Sequence, residues 1–249
     1  MIARIVAGAV CVLLAVCNAQ AAEIRLLSSG AMKEIISELL PEFETASGHK
    51  VTPTWTGTAN MIKQIEAGEV FDLVVIGVPE VEKFATAGKF LSGSRADLGR
   101  SGVGLAVKAG APKPDISNAD AVKKAMVNAK AVAYSTGPSD VYVRALLDKL
   151  GIADQVVPKA KVAASGMRVG DFLIKGEADL AFQQISELMH EHGIDFLGPL
   201  PADIENYTVY SSGISSAAKE ADAARALQAF LRAANAGPTY KKNGMEQTR

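Results

Sequence analysis

Four short stretches of this 249-residue chain join glycine to hydroxyl side chains: Ser28-Ser29-Gly30, Thr56-Gly57-Thr58, Ser135-Thr136-Gly137-Pro138-Ser139 and Ala164-Ser165-Gly166-Met167-Arg168. Each follows a strand-like run and precedes a run with helical period. A turn of this kind leaves backbone N–H groups unpaired at the start of a helix. Those groups, with nearby hydroxyls, hold an anion with little formal positive charge. The second stretch is the clearest. Val51 and Trp55 favour extended backbone, Gly57 permits a sharp turn, and Thr58 reads as an N-cap. Asn60, in the first helical turn, could donate to a ligand or merely cap. Arg168 could grip a carboxylate with two parallel hydrogen bonds or stand exposed. Gln183 and Gln184 end a strand, so one of them must face inward.

The elements that carry these turns alternate strand and helix along the chain. Strands are expected at 24–29, 49–55, 73–76, 102–107, 131–135, 156–163, 180–183, 196–197 and 207–211. Helices are expected at 32–47, 58–67, 79–87, 121–128, 138–150, 166–175, 185–192 and 217–234. Pro41 should kink or restart the first helix, and Pro158 weakens the strand at 156–163. Such alternation implies an α/β fold with mostly parallel sheets and helices on both faces. Sheets of that kind bind ligands beyond the carboxyl ends of their strands, which is where the four turns lie.

Hydrophobic residues make up 49% of the chain, enough for one large core or two small ones. A formal net charge of −1 gives no reason to expect nucleic acid or an anionic membrane as partner. Arg4, the apolar run Ile5 to Val16 and Ala19-Gln20-Ala21 have the form of a cleaved secretory signal over residues 1–21. Cys11 and Cys17 both lie inside it, so the mature chain would hold no disulfide, thiol nucleophile or cysteine metal site. His190 and His192 are two residues apart, the wrong spacing for one helix face, and His49 follows a helix end. No metal site and no cofactor are expected. No Gly-x-Ser-x-Gly turn supports a serine hydrolase.

The mature chain resembles the periplasmic solute-binding proteins of ABC transporters, close to the molybdate-binding group. The likeness is carried by Met61-Ile62-Lys63-Gln64-Ile65-Glu66-Ala67-Gly68, Asp72-Leu73-Val74-Val75-Ile76, Pro41-Glu42-Phe43-Glu44-Thr45-Ala46-Ser47-Gly48-His49-Lys50-Val51 and Gly176-Glu177-Ala178-Asp179. It implies a type 2 two-lobe binding-protein fold with two hinge crossings. Residues 22–106 and 207–249 would form one lobe and 107–206 the other, crossing near Val107-Lys108-Ala109 and Glu205-Asn206-Tyr207. It also implies a periplasmic location, a small anionic ligand between the lobes and an ABC permease as partner; the chain is expected to act as a monomer.

Carried over residue by residue, the family's first-turn serine falls at Ala31, with Ser28, Ser29 and Gly30 beside it. The second-turn serine falls at Thr58, next to Thr56 and Gly57. Two backbone-amide contacts fall at Ser139 and Met167, and a tyrosine contact falls at Gln184. The loss of one hydroxyl and the change of another argue against molybdate or tungstate and for an organic polycarboxylate. A second likeness, in Gln183-Gln184-Ile185-Ser186-Glu187, Leu197-Gly198-Pro199-Leu200-Pro201-Ala202-Asp203-Ile204 and Asn206-Tyr207-Thr208-Val209-Tyr210, is to a branch that includes periplasmic aconitate isomerase. It leaves open a receptor for transport and an isomerase in the same cleft. The isomerase would need a base, for which Lys33, Asp140 and Glu187 are the candidates.

Overall fold

A computed structural model describes residues 21–248; most of the expected signal, residues 1–20, and Arg249 lie outside the described residues. The first strands and helices are β1 (Glu23–Ser29), α1 (Lys33–Ser47), β2 (Lys50–Thr56), α2 (Thr58–Glu66), β3 (Leu73–Gly77) and α3 (Val78–Thr86). Strand β4 (Ala96–Lys108) follows, then α4 (Ala119–Asn128), β5 (Val132–Ser135), α5 (Pro138–Leu150), α6 (Ala153–Val156) and β6 (Ala160–Ala163). The chain continues through α7 (Gly170–Ile174), β7 (Leu180–Gln184), α8 (Ile185–Leu188), β8 (Ile194–Pro199) and β9 (Tyr207–Ile214). It ends in α9 (Ala221–Arg232), α10 (Gly237–Lys242) and β10 (Glu246–Gln247).

The strands run in the order β2-β1-β3-β9-β4-β7-β5-β6, with β8 and β10 also pairing β4. At one end β2, β1 and β3 are mutually parallel; at the other, β7, β5 and β6 are too. The antiparallel pairings belong to β9 and to β4. Strand β4 therefore stitches two parallel units together. It pairs with β9 as far as Gly102 opposite Tyr207, and with β7 from Val103 opposite Gln184. Val107 and Lys108, near which the resemblance implied the first crossing, pair with β8.

Both faces of each unit are packed, which is why their strands read as unbroken apolar runs. Leu73 and Val75 of β3 meet Ile35, Leu39 and Leu227, while Val74 and Ile76 point the other way, to Met61, Val81 and Phe84. In the second unit Val132 and Tyr134 of β5 join Val122, Leu146 and Phe182, and Ala133 joins Val169 and Leu173. Among the described residues, those before Gly102 or after Tyr207 share no buried apolar cluster with those between them.

Local differences from expectation have local causes. Helix α1 runs on through Pro41 to a left-handed Gly48, its buried stripe of Ile35, Ile36, Leu39, Leu40 and Phe43 outweighing the one hydrogen bond the proline removes. The segment expected as a strand from 156 is α6 and a 3-10 turn through Pro158, and extends only from Ala160. Helices α7 and α8 are much shorter than their sequence windows.

Candidate functional site

A cleft of about 400 Å³ lies where the turns of the two units face each other. Its walls include Ser29, Gly30, Lys33, Thr56, Gly57, Thr58, Ser139, Met167, Arg168, Gln184 and Glu187, all singled out from the sequence. All four glycine–hydroxyl turns reach it.

Two of its helix starts are built alike. Gly57 is the N-cap of α2 and Gly137 the N-cap of α5, and neither supplies a side-chain cap. Thr58 is thus the first helical residue and not the cap. A serine, threonine or aspartate in those places would occupy an orphan N–H. With glycine there, the first-turn N–H groups of Thr58 and Ala59 remain for an outside acceptor, as do those of Ser139 and Asp140 behind Pro138, which has none. The partial positive ends of both helices are aimed into one space.

The hydroxyls divide into committed and open ones. Ser135 and Ser139 donate to Gln183 Oε1 at 2.9 and 3.0 Å, and the Gln184 backbone N–H does so at 3.1 Å. Ser139 Oγ also accepts from Gln184 Nε2 at 3.1 Å, so this serine offers the cleft its backbone N–H and not its hydroxyl. By contrast Thr136 Oγ1, Ser186 Oγ and Gln184 Oε1 are buried with no protein partner, and all three residues line the cleft. Buried polar groups are rarely left so, and three at one place mark a site that expects a guest. Gln184 Nε2 also donates to Thr208 Oγ1 at 3.1 Å, so the partnerless atom of this amide is its oxygen, an acceptor.

Ser28, Ala31, Asn60 and Asp140 are not among the residues that line the cleft. Ser28 is fully buried in β1 and donates to Ser29 O at 3.3 Å. Ala31 is buried and its N–H donates to Ser29 Oγ at 3.4 Å, so the first turn caps itself. Asn60 bridges the two units: its backbone N–H donates to Ser165 Oγ at 3.2 Å, and Nδ2 donates to Ser165 O and Thr56 Oγ1, each at 3.1 Å. Asp140 accepts from Arg144 Nε at 2.7 Å on the outer surface of α5. Arg168 reaches the rim but bonds Asp171 Oδ1 at 2.6 Å. The units meet closely here. A Cβ on Gly57 would stand 2.7 Å from Gly166 N and closer still to Ser165 Oγ.

One corner of the cleft is acidic. Glu187, from α8, lays its carboxylate against the first turn of the other unit, with Oε1 3.0 Å from where a Gly30 Cβ would be. Among the described residues it has no ion pair, and burial, with the Glu191 charge nearby, pushes its pKa up to about 7. Glu191 is raised too, by burial, partly offset by Arg168 and by the Gly170 N–H it accepts. Tyr210, on β9, lies at the cleft floor beside Ser29, and its phenol is held well above its usual range by burial and by Glu187. Neither Tyr210 nor Glu191 was anticipated. The four-residue spacing of Glu187 and Glu191, two like charges on one helical face, was the available signal.

Residues 24–246 match the family described as bacterial extracellular solute-binding protein. A curated protein named aconitate isomerase, from Pseudomonas sp., is 35% identical over 227 residues, covering 89% of this chain and 86% of that one. The molybdate-binding protein of Azotobacter vinelandii is 25% identical over 233 residues, 92% of this chain and 91% of its own. The solved periplasmic molybdate-binding protein from Azotobacter vinelandii superposes with a TM-score of 0.76 at 18% identity, over 91% of this chain and all of the other, a likeness of fold.

Proposed function

The chain belongs to the bacterial extracellular solute-binding protein family, and from that premise we propose that its cleft captures a small organic polycarboxylate such as aconitate. One observation carries the reading: two glycine-capped helix starts and the unpartnered Thr136 and Ser186 hydroxyls converge on one space. They supply N–H and O–H donors for carboxylates at one end of the cleft. At the other end stand Glu187 and Glu191. A tetrahedral oxyanion wants donors on every side, and would leave its oxygens facing these carboxyls. An organic acid can turn carbon toward them. This favours a polycarboxylate over molybdate.

In this reading the two packed units are lobes, residues 22–102 with 207–249 and residues 103–206, divided where β4 changes partner. That moves the first boundary four residues before the one the resemblance implied. The chain would be exported by its N-terminal signal, act in the periplasm and pass its ligand to an ABC permease. A second reading, in which the cleft isomerises aconitate, is favoured by the acidic corner and by the name of the 35% identical relative.

Calorimetric titration tests the first reading. Cis- or trans-aconitate should bind and molybdate should not; tight molybdate binding with none for either tricarboxylate overturns it. Chromatography of trans-aconitate incubated with the protein tests the second. Appearance of the cis isomer is expected, and no conversion at high protein concentration rejects it.

A further inference from the structure

We propose that Glu187 is the catalytic proton carrier of the cleft, taking a proton from a ligand carbon next to a carboxylate-bearing carbon and supplying one two carbons away. This rests on the reading of the cleft as a polycarboxylate site. The other candidates are occupied or misplaced. Asp140 is paired with Arg144 outside the cleft. Lys33 is at the rim, half exposed and 3.7 Å from Glu34. Glu191 is tucked back onto the Gly170 N–H, where any Cβ on Gly170 would collide with it. Glu187 alone among these acids is set across the lobes, against Gly30, with no cation beside it.

The step balances without a co-reactant. A Glu187 oxygen forms O–H as the allylic C–H of the ligand breaks. The released electron pair spreads through the carbon–carbon double bond onto carboxylates held by the N–H groups of Thr58, Ala59, Ser139 and Asp140. Glu187 trades that hydrogen with water and delivers a proton to the far carbon of the allyl unit, and the double bond has moved. Preorganised N–H dipoles are suited to charge that grows only during such a step. Burial supports the assignment, because a carboxyl titrating near neutrality can both accept and return a proton. The titratable groups that line the cleft with Glu187 are Glu191 beyond α8, Tyr210 on β9, Lys33 and Glu34 on α1, His190, and Arg168 before α7; of these, Glu191 and Tyr210 are the ones electrostatically linked to it.

The test is deuterium exchange. Trans-aconitate is incubated with the purified protein in D₂O and its methylene and vinyl signals are followed by NMR, with affinity measured in parallel by calorimetry. Deuterium should enter with the wild-type protein, along a rate profile rising through pD values near neutrality. Glu187→Gln should bind within about fivefold of wild type yet exchange at least about 100-fold more slowly, the usual weight of a general base. Glu187→Asp, which withdraws the carboxylate by one methylene, should bind normally and exchange about tenfold or more slowly. Binding without exchange in the wild type overturns the proposal and leaves the cleft reading standing. Wild-type exchange rates in Glu187→Gln overturn it as well. No binding of aconitate at all overturns the cleft reading and the proposal with it.

Discussion

The two ends of the cleft are opposites. At one, α2 and α5 begin with glycine caps and present N–H dipoles and neutral hydroxyls. At the other, Glu187 has no ion pair among the described residues, Glu191 is only partly offset by Arg168, and both hold their protons more tightly than free carboxyls do. A site meant only to neutralise negative charge gains nothing from the second end, since like charges there oppose the ligand. Under the proposed function the contrast answers to a two-sided ligand, with carboxylates for the dipolar end and a carbon acid for the acidic one.

The largest way to break this arrangement is to stop the two packed units from meeting beside the dipolar end. Gly57 has an ordinary extended backbone, φ −82 and ψ 159, so alanine strains nothing within its own lobe. Its methyl would collide with Ser165 and with Gly166 N across the cleft. Gly57→Ala should lower aconitate affinity about 100-fold, roughly 3 kcal/mol, with an unchanged circular dichroism spectrum. Affinity within twofold of wild type would mean the close approach is dispensable.

At the dipolar end, Gln184→Leu removes the amide and its bonds to Ser139 and Thr208. Affinity should fall about tenfold, the weight of one or two hydrogen bonds. A calorimetric titration checks this.

At the acidic end the effect is on stability and has a definite sign. Folding raises the Glu187 pKa from 4.5 to about 7. The folded protein therefore holds this proton more tightly than the unfolded chain. The contribution is fully present below about pH 4.5 and is lost as pH rises through about 7. Glu187→Gln cannot lose it. Without ligand at pH 8 the variant should be about 1–2 kcal/mol more stable, a few degrees in Tm, allowing for water at the carboxylate. At pH 4 the two melting temperatures should coincide. Equal values at both pH values would show that Glu187 is solvated and not poised.

The smallest effect belongs outside the contrast. Asp140→Asn alters an exposed pair with Arg144 and should change affinity by less than about twofold.

Much of the dipolar end was legible in the sequence, because its signal is local. Gly57 between two threonines and Gly137 before Pro138 announce their turns, and strand–helix alternation places those turns on one edge. The family likeness supplied the two-lobe frame. What the sequence hid depends on pairing across the fold. Asn60 looks like a ligand donor until Ser165 is found opposite it. Ala31 looks like a lost contact until its N–H is seen spent on Ser29. Ser135 and Ser139 look like donors until Gln183 is found to accept from both. Tyr210 sits in a strand whose alternation says only that it is buried, and only the placement of β9 between β3 and β4 brings it beneath the cleft.

The most direct measurement is a crystal structure with trans-aconitate bound. The account predicts carboxylate oxygens about 2.7–3.1 Å from the N–H groups of Thr58 or Ala59 and of Ser139 or Asp140, the usual range for charge-assisted bonds. It predicts a ligand carbon, and no carboxylate, facing Glu187. A ligand seated outside the cleft, or one with its carboxylates turned toward Glu187 and Glu191, would contradict it.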